Sequence, residues 1–169
     1  SLFGIKYRKH QLIYHHCKKI PQSPFRFEKL YIGRNEANLG VVKTLNKMLQ
    51  LSTGDFIKVI ASDDILLPDA IEKLMKVINQ EKAEVYFSNA ALVPENTSYD
   101  TYDLSKYSLF YREKPAEGIG LTGALCTENY IAAPGVIIPR STYDKYGFFD
   151  ECYSFEDYEY WLRVSVDGR

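Results

Sequence analysis

Two places in this sequence put adjacent carboxylates where chemistry could use them. Asp63-Asp64 follows the mostly apolar run from Phe56 to Ala61, and Glu156-Asp157 opens the helical pattern near the end of the chain. Adjacent carboxylates beyond a strand diverge once the chain turns. One can then face a hard divalent cation, which takes oxygen ligands, while the other accepts hydrogen bonds from a hydroxyl. A carboxylate at the head of a helix can act as a general base. Each pair also has a structural alternative. Asp is a common loop residue. Ser154 and Asp157 have the S-x-x-D spacing of a capping box, and Glu156 and Asp157 would suit a helix dipole.

The elements that must position these acids can be read from apolar spacing. Ile5, Leu12, Ile13, Cys17 and Ile20 fall roughly on one helical face, which predicts a helix over 5–18 ended by Pro21 and Pro24. Residues 25–32 alternate as a strand closed by Gly33. Asn38 can cap a helix with the stripe Val41, Val42, Leu45, Met48 and Leu49, stopped by Gly54. Residues 56–61 suit a buried strand, and Pro68 opens a helix whose stripe is Ile71, Leu74, Met75 and Ile78. A strand follows at 84–88. This alternation predicts an α/β fold with a mostly parallel sheet and flanking helices. Ligands of such sheets bind beyond the carboxyl ends of the strands, where Asp63-Asp64 lies. Residues 94–130 are polar and Tyr-rich and read as a long functional loop. A short strand at 136–138, a brief helix at 141–146 ended by Gly147 and a final helix carrying Tyr158, Trp161, Leu162, Val164 and Ser165 complete the pattern.

Composition narrows the partners. The 169 residues fit one domain, and 46% hydrophobic with 25% charged residues describes a globular chain. A formal net charge of -1 argues against a nucleic-acid binder. Lys6, Arg8, Lys9, Lys18 and Lys19 gather beside His10, His15 and His16. A solvated face explains them, with peripheral contact to an anionic membrane as the alternative. Histidines and Cys17 on one helix would point to different faces, which disfavours a metal cluster there. Cys17, Cys126 and Cys152 form no CxxC pair, so a reducing cytoplasm is expected. No run approaches the length of a membrane span.

Several short motifs stand in a telling order. Asn38-Leu39-Gly40, Asn46, Gly54-Asp55-Phe56-Ile57, Ser62-Asp63-Asp64 and Pro68 resemble the middle of a family 2 glycosyltransferase of the GT-A type. Gly135-Val136-Ile137-Ile138-Pro139-Arg140, then Gly147-Phe148-Phe149-Asp150-Glu151, then Glu156-Asp157 with Arg163 resemble that family's acceptor half, which reads G-x-F-D-E and ED-x-x-x-x-x-R. Ala61 stands where the longer D-x-D-D form has its first acid. The family's opening strands, with the D-D-G-S-T-D motif, have no counterpart, so the resemblance is to a truncated domain expected to bind its donor poorly.

The resemblance implies roles. Asp63 would bind the donor, with Asn38 and Gly40 among the donor-binding positions. Asp64 would ligate Mg2+ or Mn2+, Asp157 would deprotonate the acceptor hydroxyl, and Glu156 would assist as its neighbour. Residues 1–92 would form the remaining nucleotide-sugar half and 93–169 the acceptor side. The implied reaction moves a sugar, with inversion, from a nucleotide-diphosphate sugar to a saccharide or lipid-linked acceptor. Its expected setting is cell-surface polysaccharide synthesis in the cytoplasm or at the inner membrane face. The alternatives are a sugar nucleotidyltransferase, or an inactive partial domain acting as a binding module.

Overall fold

The computed structural model describes residues 2–5, 11–15, 29–33, 35–61, 64–94, 104–110 and 120–167. Its main sheet contains β1 (Leu2–Ile5), β2 (Gln11–His15), β3 (Lys29–Gly33), β4 (Phe56–Ala61), β5 (Tyr86–Phe87) and β8 (Val136–Pro139), in the order β3-β2-β1-β4-β8-β5. A separate two-stranded ribbon pairs β6 (Ala91–Leu92) with β7 (Ser108–Leu109). The helices are α1 (Gly40–Leu51), α2 (Ala70–Gln80), α3 (Gly120–Leu125), α4 (Arg140–Tyr146) and α5 (Glu156–Asp167).

Strand directions both support and correct the expected parallel sheet. β2 and β3 pair in parallel, and the remaining neighbours in the main sheet are antiparallel. Following these pairings, β2, β3, β4 and β5 all run one way, while β1 and β8 run the other. The alternation β3-α1-β4-α2-β5 therefore returns the chain in a constant direction, as its pattern requires. However, β8 is inserted between β4 and β5, and β1 between β2 and β4. These insertions come from distant segments, which local periodicity cannot report.

The expected helix over 5–18 is overturned: Gln11–His15 is a strand between β1 and β3. Its ladders give the backbone N–H and C=O groups partners on both sides, whereas the expected helical stripe, five residues spread from Ile5 to Ile20, gave a helix little to bury. The strand expected from residue 25 is described at Lys29–Gly33, and its earlier part lies outside the described residues.

The core is formed where α1, α4 and α5 meet β4 and β8. Val42, Leu45, Asn46, Met48 and Leu49 are the buried face of α1, while Val41 is exposed, so the stripe is narrower than its sequence suggests. Leu45, Leu49, Ile57, Ile138, Tyr143, Phe149, Tyr160 and Trp161 share one cluster. Leu74 and Met75 of α2 join Tyr86 and Ile137 in a second, through the sheet. Fully burying each such large apolar side chain contributes about 1.5–3 kcal/mol. Among the described residues, no helix is long and apolar enough to cross a membrane.

Candidate active site

The antiparallel insertion of β8 has a local consequence at the carboxyl end of β4. The 3-10 turn Ala133–Gly135, which leads into β8, lies at the edge where β4 ends. Gly135 is required by close approach: a Cβ there would stand 2.1 Å from the Ser88 carbonyl oxygen. The two backbones are joined as well, since the Ser88 N–H donates to the Gly135 carbonyl at 3.1 Å.

A pocket of about 150 Å³ opens at this edge. Ala61 and Asp64 line it from the end of β4, Ala133 and Pro134 from the turn, and Glu156, Asp157 and Trp161 from α5. Asp64, Glu156 and Asp157 thus meet in one cavity despite their separation in sequence. Asp63 lies outside the described residues. Asn38 and Gly40 do not line the cavity. They stand exposed at the start of α1, where the Asn38 Oδ1 accepts from the Gly40 N–H at 3.0 Å. Gly40 has φ 78°, the left-handed region in which glycine carries no Cβ penalty.

Asp157 lies in the first turn of α5. Its Oδ1 accepts from the Tyr158 N–H at 2.7 Å, and its Oδ2 accepts from the Asn129 Nδ2 at 3.4 Å. The Asn129 Oδ1 in turn accepts from the Ile131 N–H at 3.3 Å, which ties the carboxylate to the loop after α3. Among the described residues no hydrogen bond joins Ser154 to Asp157, which the capping-box alternative would require. Glu156 is half-buried, and burial, reinforced by the Asp157 charge, pushes its carboxyl above the usual range.

Motif residues around the acids act on the backbone. The Asn46 side chain, buried on α1, donates to the Phe149 carbonyl at 2.9 Å and accepts from the Phe149 N–H at 3.1 Å. It also donates to Glu151 at 3.2 Å. This reciprocal pair fixes the G-x-F-D-E turn against α1. Arg163 pairs with Glu159 at 2.7 Å and donates to the Tyr146 and Phe148 carbonyls, fastening the same turn to α5. Arg140 donates to the carbonyls of Leu49, Ser52 and Gly54, closing the α1–β4 connection. Trp161 is a buried wall residue, as its spacing predicts.

Two positions escaped the sequence reading. Asn129 carries no signal in a Tyr-rich loop. Lys58 carries one, a lysine within an otherwise apolar strand. It is completely buried, and its ammonium donates to the Pro134 carbonyl and to the Val59 carbonyl at 3.3 Å. Burial lowers its pKa to about 7, opposed by the negative charge of Asp64.

The α/β sheet with its two inserted antiparallel strands, and with Asp64, Glu156 and Asp157 lining one pocket at its edge, agrees with the GT-A type of domain that the family match implies. The family model described as Glycosyl transferase family 2 matches residues 14–130, and the chain belongs to that family. The matched span includes Asp63 and Asp64 and ends before Glu156-Asp157. An uncharacterized glycosyltransferase of Methanocaldococcus jannaschii is 24% identical over 146 residues, which cover 80% of this chain and 44% of the relative. An uncharacterized protein of Mycobacterium tuberculosis is 24% identical over 140 residues, covering 79% of this chain and 44% of the relative. The chain therefore spans less than half the length of these relatives. No solved structure matches it significantly.

Proposed function

We propose that this domain transfers a sugar from a nucleotide-diphosphate sugar to a hydroxyl acceptor, with inversion, in the synthesis of a cell-surface polysaccharide. The observation that carries this reading is the meeting of Asp64 and Asp157 in one pocket at the carboxyl edge of the sheet. Asp157 is the general base. It takes the proton of the acceptor hydroxyl as that oxygen forms its bond to the anomeric carbon. The bond from that carbon to the diphosphate oxygen breaks on the opposite face, and the nucleoside diphosphate leaves with the electron pair. The chemistry is close to glycoside hydrolysis, with a sugar hydroxyl in place of water. Asn129 and the Tyr158 N–H hold the Asp157 carboxylate, and Glu156 flanks it.

Asp64, with Asp63 beside it in the chain, is the position for Mg2+ or Mn2+. The donor set suits such an ion. Asp64 shares its pocket with Glu156 and Asp157, and among the described residues no group of three His, Cys, Asp or Glu side chains is arranged to hold a metal by itself. Mg2+ typically binds through one or two carboxylates together with substrate phosphates. When bound, the cation would neutralise charge developing on the departing diphosphate.

The test is kinetic. Asp157→Asn should lower turnover about 100-fold or more with little change in donor affinity. Asp64→Asn should remove both metal dependence and most activity. Ser154→Ala, which removes a hydroxyl but no base, should keep normal turnover per folded molecule. Near-normal turnover in Asp157→Asn, or full activity in excess chelator, would refute the assignment.

A further inference from the structure

Two buried polar groups of the candidate site have no part in the proposed chemistry. Tyr143 of α4 and Trp161 of α5 both line the pocket that holds Asp64, Glu156 and Asp157. They are 2% and 4% exposed, respectively, and the Tyr143 hydroxyl and the Trp161 Nε1–H are buried without a hydrogen-bond partner. Leaving a buried donor unpaired is costly. Phenylalanine in place of Tyr143 would avoid that cost and keep the ring contacts with Phe149 and Tyr160, whose centroids stand 6.1 and 5.3 Å away. The hydroxyls of Tyr146 and Tyr160 are also unpartnered, but neither residue lines this pocket. Trp161 borders a second cavity as well, beside Leu121 and Val164, and Tyr143 does not. The pocket at the sheet edge is therefore where the two donor-bearing residues meet.

We propose that this pocket receives the acetamido group of an N-acetylated sugar substrate, whose carbonyl oxygen accepts from the Tyr143 hydroxyl and the Trp161 Nε1–H. The proposal rests on the reading of the pocket as the site of sugar transfer. The chemistry of the walls selects the group. An indole N–H can only donate, and burial pushes the Tyr143 hydroxyl well above its usual range, so that it stays protonated. A carbonyl oxygen accepts two hydrogen bonds and brings no hydrogen of its own. A sugar hydroxyl brings a hydrogen that the side chains of Leu45, Val59, Val136, Ile138 and Phe149, which form much of the remaining wall, cannot accept. The acetamido methyl suits those same side chains.

The acetamido N–H needs an acceptor, and the Glu156 and Asp157 carboxylates line the same pocket. A volume of about 150 Å³ has room for so small a branch. Either sugar of the reaction can carry the group, the acceptor or the one transferred, and both present the same chemistry to the pocket. The test therefore needs a free sugar and a nucleotide sugar, each paired with a counterpart that lacks the acetamido group.

Trp161 is the only tryptophan of the chain, so its indole N–H is a single reporter at the site. The experiment follows that N–H resonance by NMR of the isotope-labelled full chain during titration with N-acetylglucosamine, with glucose and, in the presence of Mg2+, with UDP-N-acetylglucosamine and UDP-glucose. An acetamido sugar should shift the resonance saturably and bind at least about tenfold more tightly than its glucose counterpart. A response to free N-acetylglucosamine supports the acceptor as the source of the group, and a response confined to the nucleotide form supports the transferred sugar. Tyr143→Phe keeps the ring and the reporter. It should weaken the acetamido sugar about fivefold, leave the glucose counterpart unchanged and melt no lower than the unmodified chain. No shift with either acetamido probe, or an equal response to the glucose probes, would overturn the proposal. Undiminished acetamido binding in Tyr143→Phe, or a lowered melting temperature of that variant, would overturn it equally. The underlying reading fails by a different result: near-normal turnover in Asp157→Asn while the indole response stays intact.

Discussion

Asn46→Ala should destabilise the domain severely although the side chain is small and touches no proposed substrate. Asn46 is buried and makes a reciprocal pair of hydrogen bonds with the backbone of Phe149, which is also buried. Truncation would leave one N–H and one C=O of Phe149 without their partner. Each orphaned buried group costs about 1–3 kcal/mol, so the pair should cost about 2–6 kcal/mol. In a domain of this size that corresponds to a fall in melting temperature of roughly 4–24 °C. The assay is thermal unfolding followed by circular dichroism, with urea unfolding as a second measure. Asn46→Asp is the informative companion. It keeps the acceptor for the Phe149 N–H but places a carboxylate against the Phe149 carbonyl and the Glu151 carboxylate. It should therefore lose comparable stability at neutral pH and recover part of it in acid. Asn46→Ala melting within about 2 °C of the unmodified chain would show that the turn is held by packing alone and would refute this account.

Gly135→Ala should cost about 3 kcal/mol in urea unfolding, at the upper end for overpacking, because the new Cβ meets the Ser88 backbone, which cannot swing aside as a side chain could; a neutral result would mean that β5 and β8 separate easily. Glu156→Gln should stabilise the domain near neutral pH. The folded carboxyl is pushed above its ordinary value of 4.5, so between those two values the folded state binds more protons than the unfolded state, and stability falls as pH rises. Removing the ionisable group should flatten that decline in melting temperature against pH, and an unchanged profile would contradict it.

Sequence patterns revealed different parts of this molecule for different physical reasons. The segments α1, β4 and α2 show clear apolar periods because each buries one face against its neighbours, and they were legible almost to their ends. The pairing of β8 with β4 and β5 was not legible, since a three-residue apolar run says nothing about which distant strand it meets. The segment 11–15 misled for a related reason. Its apolar run, Leu12 to Tyr14, is too short to tell strand from helix, and what makes it a strand is the presence of β1 and β3 on either side. Asp64 and Asp157 stood out because paired acids at element ends are chemically conspicuous. Asn129, which holds the Asp157 carboxylate, did not stand out, because an asparagine in a polar loop resembles any other until the fold brings it beside an acid.

The family-like motifs divide into residues that could react and residues that hold the backbone, and the second group is the larger. Asn46 bonds the turn before α5 to α1, and Arg163 bonds that turn to α5 itself. Arg140 bonds the end of α1 to the start of α4. In each case a fork-shaped polar side chain satisfies backbone carbonyls in a connection that lies against the core. Such carbonyls cannot be left unpaired without a penalty, and no regular element is available to pair them. The three clamps therefore do more than stabilise loops. They fix α1, α4 and α5 relative to one another, and so fix where the first turn of α5 stands relative to the end of β4. A base and a metal-position carboxylate carried on elements distant in the chain can work together only if their placement is held to within about 0.5 Å by such rigid supports. That is why weak motifs scattered along the sequence carry information in their order: they are the contact points of one frame, with the proposed chemistry confined to the few acids that the frame brings together.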